Sequence, residues 1–128
     1  MKSAIKSILF PSTVKETVKG LNSRGCMLLA GGTRVARSIP PDVECIADIR
    51  DVPLDYITAD ARALRIGAMC TFTDIEKSSL LKKWSGGMLS SAALRGSSRL
   101  MKNMATIGGN LVRAYPFNNF PPVMLALD

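Results

Sequence analysis

Three short apolar runs, separated by polar and helix-forming segments, organise the first fifty residues. The runs lie at 5–10, 26–30 and 45–49, and we predict a strand for each. Apolar residues at helical spacing over 14–21 predict a helix between the first two strands. The run at 26–30 is continuous, which is typical of a strand buried on both faces. The order strand, helix, strand, crossover, strand predicts a small parallel α/β unit.

The pattern changes after about residue 52, where alternating apolar positions replace the continuous runs. Residues 56–57 and 64–68 alternate on either side of the polar stretch 58–62, which predicts a hairpin. Helical spacing then returns for most of the remaining chain. We predict helices over 75–83 (capped by Thr73 or Asp74), 88–95 and 121–127, with a basic loop over 96–103.

Two pairs of adjacent glycines follow apolar stretches, in the segments Gly31-Gly32-Thr33 and Gly108-Gly109-Asn110. Glycine lets main-chain N–H groups come close to a ligand. Successive N–H groups in a turn form a concavity that binds anions such as phosphate. We interpret two such turns in one small chain as a site for a ligand with a diphosphate and a large organic body, a flavin nucleotide. Neither segment matches a P-loop or GxGxxG, so the residues alone leave ordinary turns equally open.

Composition and charge narrow the class of protein. The chain has 128 residues, 47% hydrophobic and 21% charged, as in a globular domain. No apolar run approaches the ~20 residues that span a bilayer, and no secretory signal is visible, so we expect a soluble cytoplasmic protein without a membrane partner. The net charge of +7 would suit an anionic cofactor. Because the basic residues are scattered and aromatics are only 5%, nucleic-acid binding is the less favoured alternative.

Metal chemistry in this chain is disfavoured by the same composition. Cys26, Cys45 and Cys70 are widely spaced, no CxxC pair occurs, and there is no histidine. We therefore predict no zinc or iron–sulfur site. The three cysteines are interpreted as small buried hydrophobic residues in a reducing compartment.

The order of motifs along the whole chain resembles that of a known family, the FAD-binding domain of molybdenum hydroxylases. This is the flavin-binding medium subunit of enzymes of the xanthine dehydrogenase and carbon monoxide dehydrogenase type. The Ala105–Asn110 stretch is the most specific part of the resemblance. The motifs that carry it are Ala30-Gly31-Gly32-Thr33, Gly67-Ala68 followed by Thr71, Lys102 through Asn110, Pro116 through Pro122, and Leu125-Ala126-Leu127-Asp128.

The resemblance implies an α+β fold of the PCMH/CO-dehydrogenase flavoprotein type. A small parallel α/β subdomain would occupy 1–55, and residues 56–128 would form the first part of a larger subdomain with an antiparallel sheet and helices. FAD would lie between the two. The residues implied to bind it are Leu29, Ala30, Gly31, Gly32, Thr33, Arg34, Val35 and Ala36 at the pyrophosphate, Thr71 near the flavin, Thr106, Ile107, Gly108, Gly109 and Asn110 at the pyrophosphate or ribityl chain, and Asn119 near the adenosine end.

The resemblance also implies a role in electron transfer. In such enzymes a molybdopterin large subunit oxidises the substrate, the 2Fe-2S clusters of a small subunit carry the electrons on, and FAD passes them to NAD or another acceptor. The cofactor carries the redox chemistry while the protein positions it. No catalytic acid or base is therefore assigned in this chain, and the molybdopterin and iron–sulfur groups are expected on partner subunits.

Several positions depart from the family pattern. Arg34 and Asn119 stand where aspartates are frequent, and Tyr115 stands where a small serine is frequent. Family members also continue well beyond the length of this chain, so we expect a truncated gene product, half of a split subunit, or a fragment. Two alternatives to electron transfer stay open: a degenerate remnant that binds no cofactor, and a small basic protein that binds nucleic acid.

Overall fold

The computed structural model describes residues 5–95 and 98–127, and the chain divides into two compact units, Met1–Pro53 and Leu54–Asp128. The first unit contains β1 (Ser7–Leu9), α1 (Val14–Leu21), β2 (Cys26–Leu29), a 3₁₀ turn (Val35–Arg37) and β3 (Cys45–Asp48). Both β1 and β2 pair with β3 in parallel, in the order β1-β3-β2. The predicted parallel α/β unit is confirmed.

The burial of the strands corrects one expectation. β3 is the central strand, and all four of its residues are buried. The run at 26–30 was expected to be buried on both faces, but β2 is an edge strand of intermediate burial, and Leu28 is 36% exposed. The prediction was wrong because a continuous apolar run is equally compatible with a strand that has one neighbour, and a three-stranded sheet has a single central position.

The start of α1 shows how the sequence ends a loop and begins a helix. The hydroxyl of Thr13 accepts the backbone N–H of Glu16 at 3.1 Å. In return, the Glu16 carboxylate accepts the backbone N–H of Ser12 at 2.8 Å. The Thr13 hydroxyl thus satisfies one donor that a helix leaves unpaired at its first turn. The hydrogen bond from the Ser12 N–H is the largest cause that lowers the pKa of the Glu16 carboxyl.

The second unit begins with the predicted hairpin. β4 (Ile57–Ala59) and β5 (Leu64–Ile66) pair in antiparallel register. The turn between them is shorter than predicted, because Asp60 accepts the backbone N–H groups of Arg62 and Ala63 at 2.8 and 3.0 Å and so closes the loop early. The helices that follow are α2 (Phe72–Lys77), α3 (Ser79–Lys83), a 3₁₀ turn (Trp84–Gly87), α4 (Met88–Leu94), α5 (Arg99–Lys102), α6 (Ile107–Arg113) and α7 (Phe120–Ala126).

The predicted helix over 75–83 is two helices in the structure. The cap of α2 is Thr71, whereas Thr73 lies inside the helix and Asp74 supplies the carboxylate of the capping box. The helix ends at Lys77, and the hydroxyl of the next residue, Ser78, accepts the Leu81 N–H at 3.3 Å and caps α3. Hydroxyl and carboxylate side chains compete for helix-start positions, and the sequence placed the cap two residues too late.

The helices predicted over 88–95 and 121–127 are confirmed as α4 and α7. The predicted basic loop is wrong in part, because Ser98 caps the short helix α5; its first residues, 96 and 97, lie outside the described residues.

The core of the second unit contains residues from five helices and from the segment between the hairpin and α2. Phe72 and Phe120 pack edge to face with ring centroids 4.9 Å apart. The buried cluster consists of Cys70, Phe72, Ile75, Leu81, Leu89, Ala92, Ala93, Ile107 and Phe120. No helix within the described ranges is long and apolar enough to cross a membrane.

Candidate functional site

The loop after β2 holds the first group of predicted site residues, 29–36. Ile49 donates its N–H to the Leu29 carbonyl at 3.0 Å, which is the last contact before the loop leaves the sheet. Gly32 has φ +69°, a left-handed conformation that glycine adopts without strain. Among the described residues, the N–H groups of Gly31, Gly32 and Thr33 donate to no protein acceptor. Three successive unpaired N–H groups at the carboxyl end of a parallel strand are suited to an anion.

A buried carboxylate lies at the same edge of the sheet, at the end of β3. Asp48 is 3% exposed and accepts the backbone N–H of Arg50 at 3.1 Å and its guanidinium Nε at 2.9 Å. The guanidinium carbon of Arg50 lies 5.9 Å from the centre of the Phe10 ring. This pair was not predicted from the sequence. Its signal was an aspartate at the end of a buried strand with an arginine two residues later.

The pair should make the stability of the first unit depend on pH. The hydrogen bond from Arg50 is the largest cause that lowers the pKa of Asp48 below its ordinary 3.8. Because this pKa is lower in the folded than in the unfolded state, the pair stabilises the fold at pH values above the unfolded-state pKa. This contribution is lost as the pH falls through the folded-state pKa. We expect Asp48→Asn to lower the free energy of unfolding by about 1–2 kcal/mol near neutral pH. Urea unfolding should show the difference from wild type shrinking below pH 3.8.

A matched control lies three residues further on. Asp51 is an exposed carboxylate, so Asp51→Asn should change the free energy of unfolding by less than about 0.5 kcal/mol. If the loss of unfolding free energy caused by Asp48→Asn stays constant through the acid range, the Asp48–Arg50 pair does not cause the pH dependence of stability.

The second group of predicted site residues meets at a backbone crossing within the second unit. Thr71 and Thr106 form an isolated antiparallel bridge. Phe72 donates its N–H to the Ala105 carbonyl at 3.0 Å, and Ile107 donates to the Cys70 carbonyl at 3.0 Å. The structure thus brings Thr71 and the 106–110 segment together, as two motifs far apart in sequence.

The conformation of the 106–110 segment corrects an expectation. We predicted a glycine turn with N–H groups free for an anion, but Thr106 is the N-cap of α6 and both glycines belong to the helix. The prediction was wrong because a threonine before adjacent glycines also serves as a cap. The four N–H groups all donate inside the protein: Ile107 to Cys70 O, Gly108 to Ala68 O, Gly109 to the Thr106 hydroxyl and Asn110 to Thr106 O.

The two threonine hydroxyls are also engaged. The Thr71 hydroxyl lies 2.6 Å from the Asp74 carboxylate and accepts the Asp74 N–H at 3.1 Å. Thr106 is 4% exposed, and its hydroxyl accepts the Gly109 N–H at 3.2 Å. A ligand would therefore contact this crossing through the shape of its surface, where Gly109 is exposed at the start of α6.

The asparagines hold the segment between α6 and α7. The Asn110 side-chain oxygen accepts the Phe120 N–H at 3.4 Å, and its carbonyl accepts the Asn118 amide at 2.7 Å. The Asn119 amide donates to the Ala92 carbonyl at 3.2 Å. A carboxylate at position 119 could not donate this bond, so asparagine there has a structural reason.

An open groove of about 570 Å³ runs beside Asn119, between α4 and the segment that leads into α7. Tyr115 and Phe117 stack near it, with ring centroids 5.3 Å apart and planes 10° apart. The crossing of Thr71 and Thr106 is not part of its lining. The lining residues that carry polar side chains are Ser91, Arg95, Asn118 and Asn119.

The chain matches a known protein family over nearly its whole length. Residues 3–128 match the family model described as the FAD binding domain in molybdopterin dehydrogenase. The chain is 32% identical over 107 residues to the nicotinate dehydrogenase FAD-subunit of Eubacterium barkeri, covering 79% of this chain and 35% of that protein. It is 33% identical over 93 residues to the aldehyde oxidoreductase FAD-binding subunit PaoB of Escherichia coli K12, covering 70% and 29%. The chain thus spans about a third of the length of these relatives.

Solved structures show the same fold. One is the Cu,Mo-CO dehydrogenase in its cyanide-inactivated form, with a TM-score of 0.84 at 24% identity, covering 98% of this chain and 46% of that chain. Another is the carbon monoxide dehydrogenase from Hydrogenophaga pseudoflava that lacks the Mo-pyranopterin moiety, with a TM-score of 0.84 at 25% identity, covering 96% and 45%. The α+β fold expected from the sequence is confirmed.

Proposed function

Because this chain belongs to the family of FAD-binding domains of molybdopterin dehydrogenases, we propose that it holds FAD for electron transfer within a larger oxidoreductase. The observation that carries the proposal is the loop after β2, where the N–H groups of Gly31, Gly32 and Thr33 are unpaired among the described residues. The chemistry of these donors fits a diphosphate, because successive main-chain N–H groups bind anionic oxygens without a side chain. The net charge of +7 favours an anionic ligand at longer range.

In the first unit, residues 29–36 would hold the pyrophosphate. The left-handed Gly32 sets the direction of the N–H groups, and Arg34 adds a cation on the exposed side of the loop. A guanidinium is suited to phosphate because its N–H groups match the spacing of two oxygens. The Asp48–Arg50 pair fixes the neighbouring end of β3, and so keeps the edge of the sheet in place.

In the second unit, the contacts would come from surface shape and side chains. Gly109 is exposed beside Thr106 and carries no Cβ, so an extended or planar group could approach the helix start closely. Thr71, Thr106, Ile107, Gly108 and Asn110 would support this surface, because their hydrogen bonds join the crossing to α6. Asn119 would line the groove near the adenosine end of FAD, with its side-chain amide hydrogen-bonded to the Ala92 carbonyl.

When bound, FAD supplies the one- and two-electron chemistry of the isoalloxazine ring, and the chain itself binds and orients the cofactor. We assign no proton transfer to a side chain here. The partners that this role requires are an iron–sulfur small subunit and a molybdopterin large subunit, with NAD or another acceptor receiving the electrons. A cytoplasmic location agrees with these partners.

Titration of FAD with the purified chain, followed by flavin fluorescence and absorption, tests the proposal. We expect quenching that saturates, competition by ADP, which carries the diphosphate, and much weaker binding of riboflavin, which has no phosphate. A colourless chain that leaves FAD fluorescence unchanged would contradict the proposal and favour the remnant that binds no cofactor. Retention on DNA that weakens steeply with salt would favour nucleic-acid binding instead.

Two glycine variants locate the site. Gly32→Ala places a side chain at φ +69°, which costs about 1–2 kcal/mol in the left-handed conformation. If the loop relieves this strain by turning its N–H groups away from the phosphate, FAD affinity should fall about tenfold. Gly20→Ala is the control in the same unit, since its methyl group would meet only the end of the Leu9 side chain, at 3.0 Å. Equal FAD affinity in both variants would exclude the loop as the phosphate site.

A further inference from the structure

Two cysteines face each other across neighbouring strands of the parallel sheet. Cys26 in β2 and Cys45 in β3 are direct register partners. In-register residues on adjacent strands lie about 4.8 Å apart, which is within the Cα separation of about 4.4–6.8 Å that a disulfide requires. The two Sγ atoms are 2.8 Å apart, with the Cys26 thiol donating to the Cys45 sulfur. Both thiols are free.

The two thiols differ in their access to solvent. Cys26 lies in the edge strand and is partly buried, whereas Cys45 lies in the central strand and is 9% exposed. Burial, followed by the hydrogen bond to Cys45, raises the pKa of Cys26 to about 11. Cys26 is therefore protonated at neutral pH, and the small thiolate fraction that remains would carry out any reaction with an external reagent.

We propose that Cys26 and Cys45 form a reversible dithiol–disulfide site, oxidised by a small disulfide of the glutathione class. The Cys26 thiolate attacks one sulfur of the oxidant, so that an S–S bond forms on Cys26 and one reduced thiol leaves. The Cys45 sulfur then loses its proton and attacks the Cys26 sulfur, and the second thiol leaves. Two protein thiols are oxidised, one small disulfide is reduced to two thiols, and the step reverses with excess reductant.

The third cysteine provides an internal control. Cys70 is fully buried in the core of the second unit, and its Sγ lies 3.2 Å from the Tyr56 carbonyl oxygen. Its pKa is also raised, mainly by burial. The proposal requires Cys70 to keep its thiol under conditions that oxidise the pair, because no second sulfur is hydrogen-bonded to it among the described residues.

Peptide mapping of the folded chain tests the proposal directly. The chain is incubated with oxidised glutathione at mildly alkaline pH, quenched with acid, unfolded in urea with excess N-ethylmaleimide near neutral pH, and digested with trypsin. Cleavage after Lys and Arg places the three cysteines in separate peptides, 25–34, 38–50 and 66–77. We expect the first two peptides to be joined by a disulfide that dithiothreitol removes. The third should be alkylated, and should react with glutathione at least about tenfold more slowly.

The Cys45→Ser variant separates the two steps. It lacks the second thiol, so we expect glutathione to remain on Cys26, whereas wild type releases it. A wild-type chain that also ends as a stable glutathione adduct on Cys26 would overturn the proposal. The proposal would also be overturned if the folded chain formed the same mixture of disulfides as the chain unfolded in urea, or if the folded chain did not react with oxidised glutathione. Should the variant fail to fold, the wild-type peptide map decides by itself, and neither result depends on FAD.

Discussion

Gly67→Ala is expected to unfold most of the second unit, with a loss of about 3 kcal/mol or more in the free energy of unfolding. An added Cβ would lie 2.1 Å from the Leu54 carbonyl oxygen and 3.1 Å from the Tyr56 nitrogen. Both neighbours are backbone atoms, so no side chain can rotate away. Gly67 also donates its N–H to the Tyr56 carbonyl at 2.8 Å, and Met69 donates to the Leu54 carbonyl at 2.8 Å. Relief of the clash would therefore break these bonds.

The measurement is urea or thermal unfolding followed by far-UV circular dichroism, with Gly86→Ala as the control. Gly86 has φ +64° and nothing within 4 Å of an added Cβ. Its alanine variant reports backbone strain without a clash and should lose about 1–2 kcal/mol. A Gly67→Ala chain as stable as wild type would mean that the 54–56 segment does not run against β5 as the structure has it.

Gly108→Ala is the second variant with a large expected effect, because the added methyl group would push α6 away from the segment that contains Ala68. Its Cβ would lie 2.8 Å from the Ala68 carbonyl oxygen and 2.8 Å from the Ala68 Cβ. The Gly108 N–H is bonded to that same carbonyl at 3.0 Å. We expect a loss of about 2–3 kcal/mol from this overpacking. FAD affinity should fall with it if the crossing of Thr71 and Thr106 contributes to the cofactor site.

Gly109→Ala is the matched control, one residue along the same helix. Its Cβ would meet the Thr106 hydroxyl oxygen at 3.1 Å, a contact that a small shift relieves. Alanine gains up to about 1 kcal/mol over glycine in a helix, so the two effects should nearly cancel in the unfolding free energy. Equal stability of the two variants would contradict the account of Gly108. A selective loss of FAD affinity in Gly109→Ala would place the ligand against the exposed start of α6.

The parallel unit and the hairpin could be predicted from the sequence because each depends on local signals. Continuous apolar runs, a threonine three residues before a glutamate, and alternation across a polar turn all act over a few residues. The position of a strand within its sheet is not local. Residues 26–30 look like a central strand, and the structure makes β2 an edge strand because β3 takes the central position.

The roles of the candidate site residues stay a prediction, and the conformation of their segments was anticipated only in part. The loop at Gly31 and Gly32 has the turn conformation that we expected. The segment at Gly108 and Gly109 does not, because the Ala68 and Cys70 carbonyls, nearly forty residues earlier in the chain, accept its N–H groups. The sequence of the segment contains no information about these acceptors. The Asp48–Arg50 pair was missed although its residues are only two apart, because the burial of Asp48 depends on the strands that flank β3.

Amide chemical shifts of the isotope-labelled chain during an FAD titration test the central claim most directly. We expect saturable shifts at Gly31, Gly32 and Thr33, whose N–H groups would donate to phosphate. ADP should reproduce these shifts, and riboflavin should not. Around Gly109 we expect shifts with FAD, while the N–H groups of α6 keep their internal bonds. Shifts confined to other surfaces, or none at millimolar FAD, would contradict the claim that this chain holds the flavin cofactor through its glycine loop.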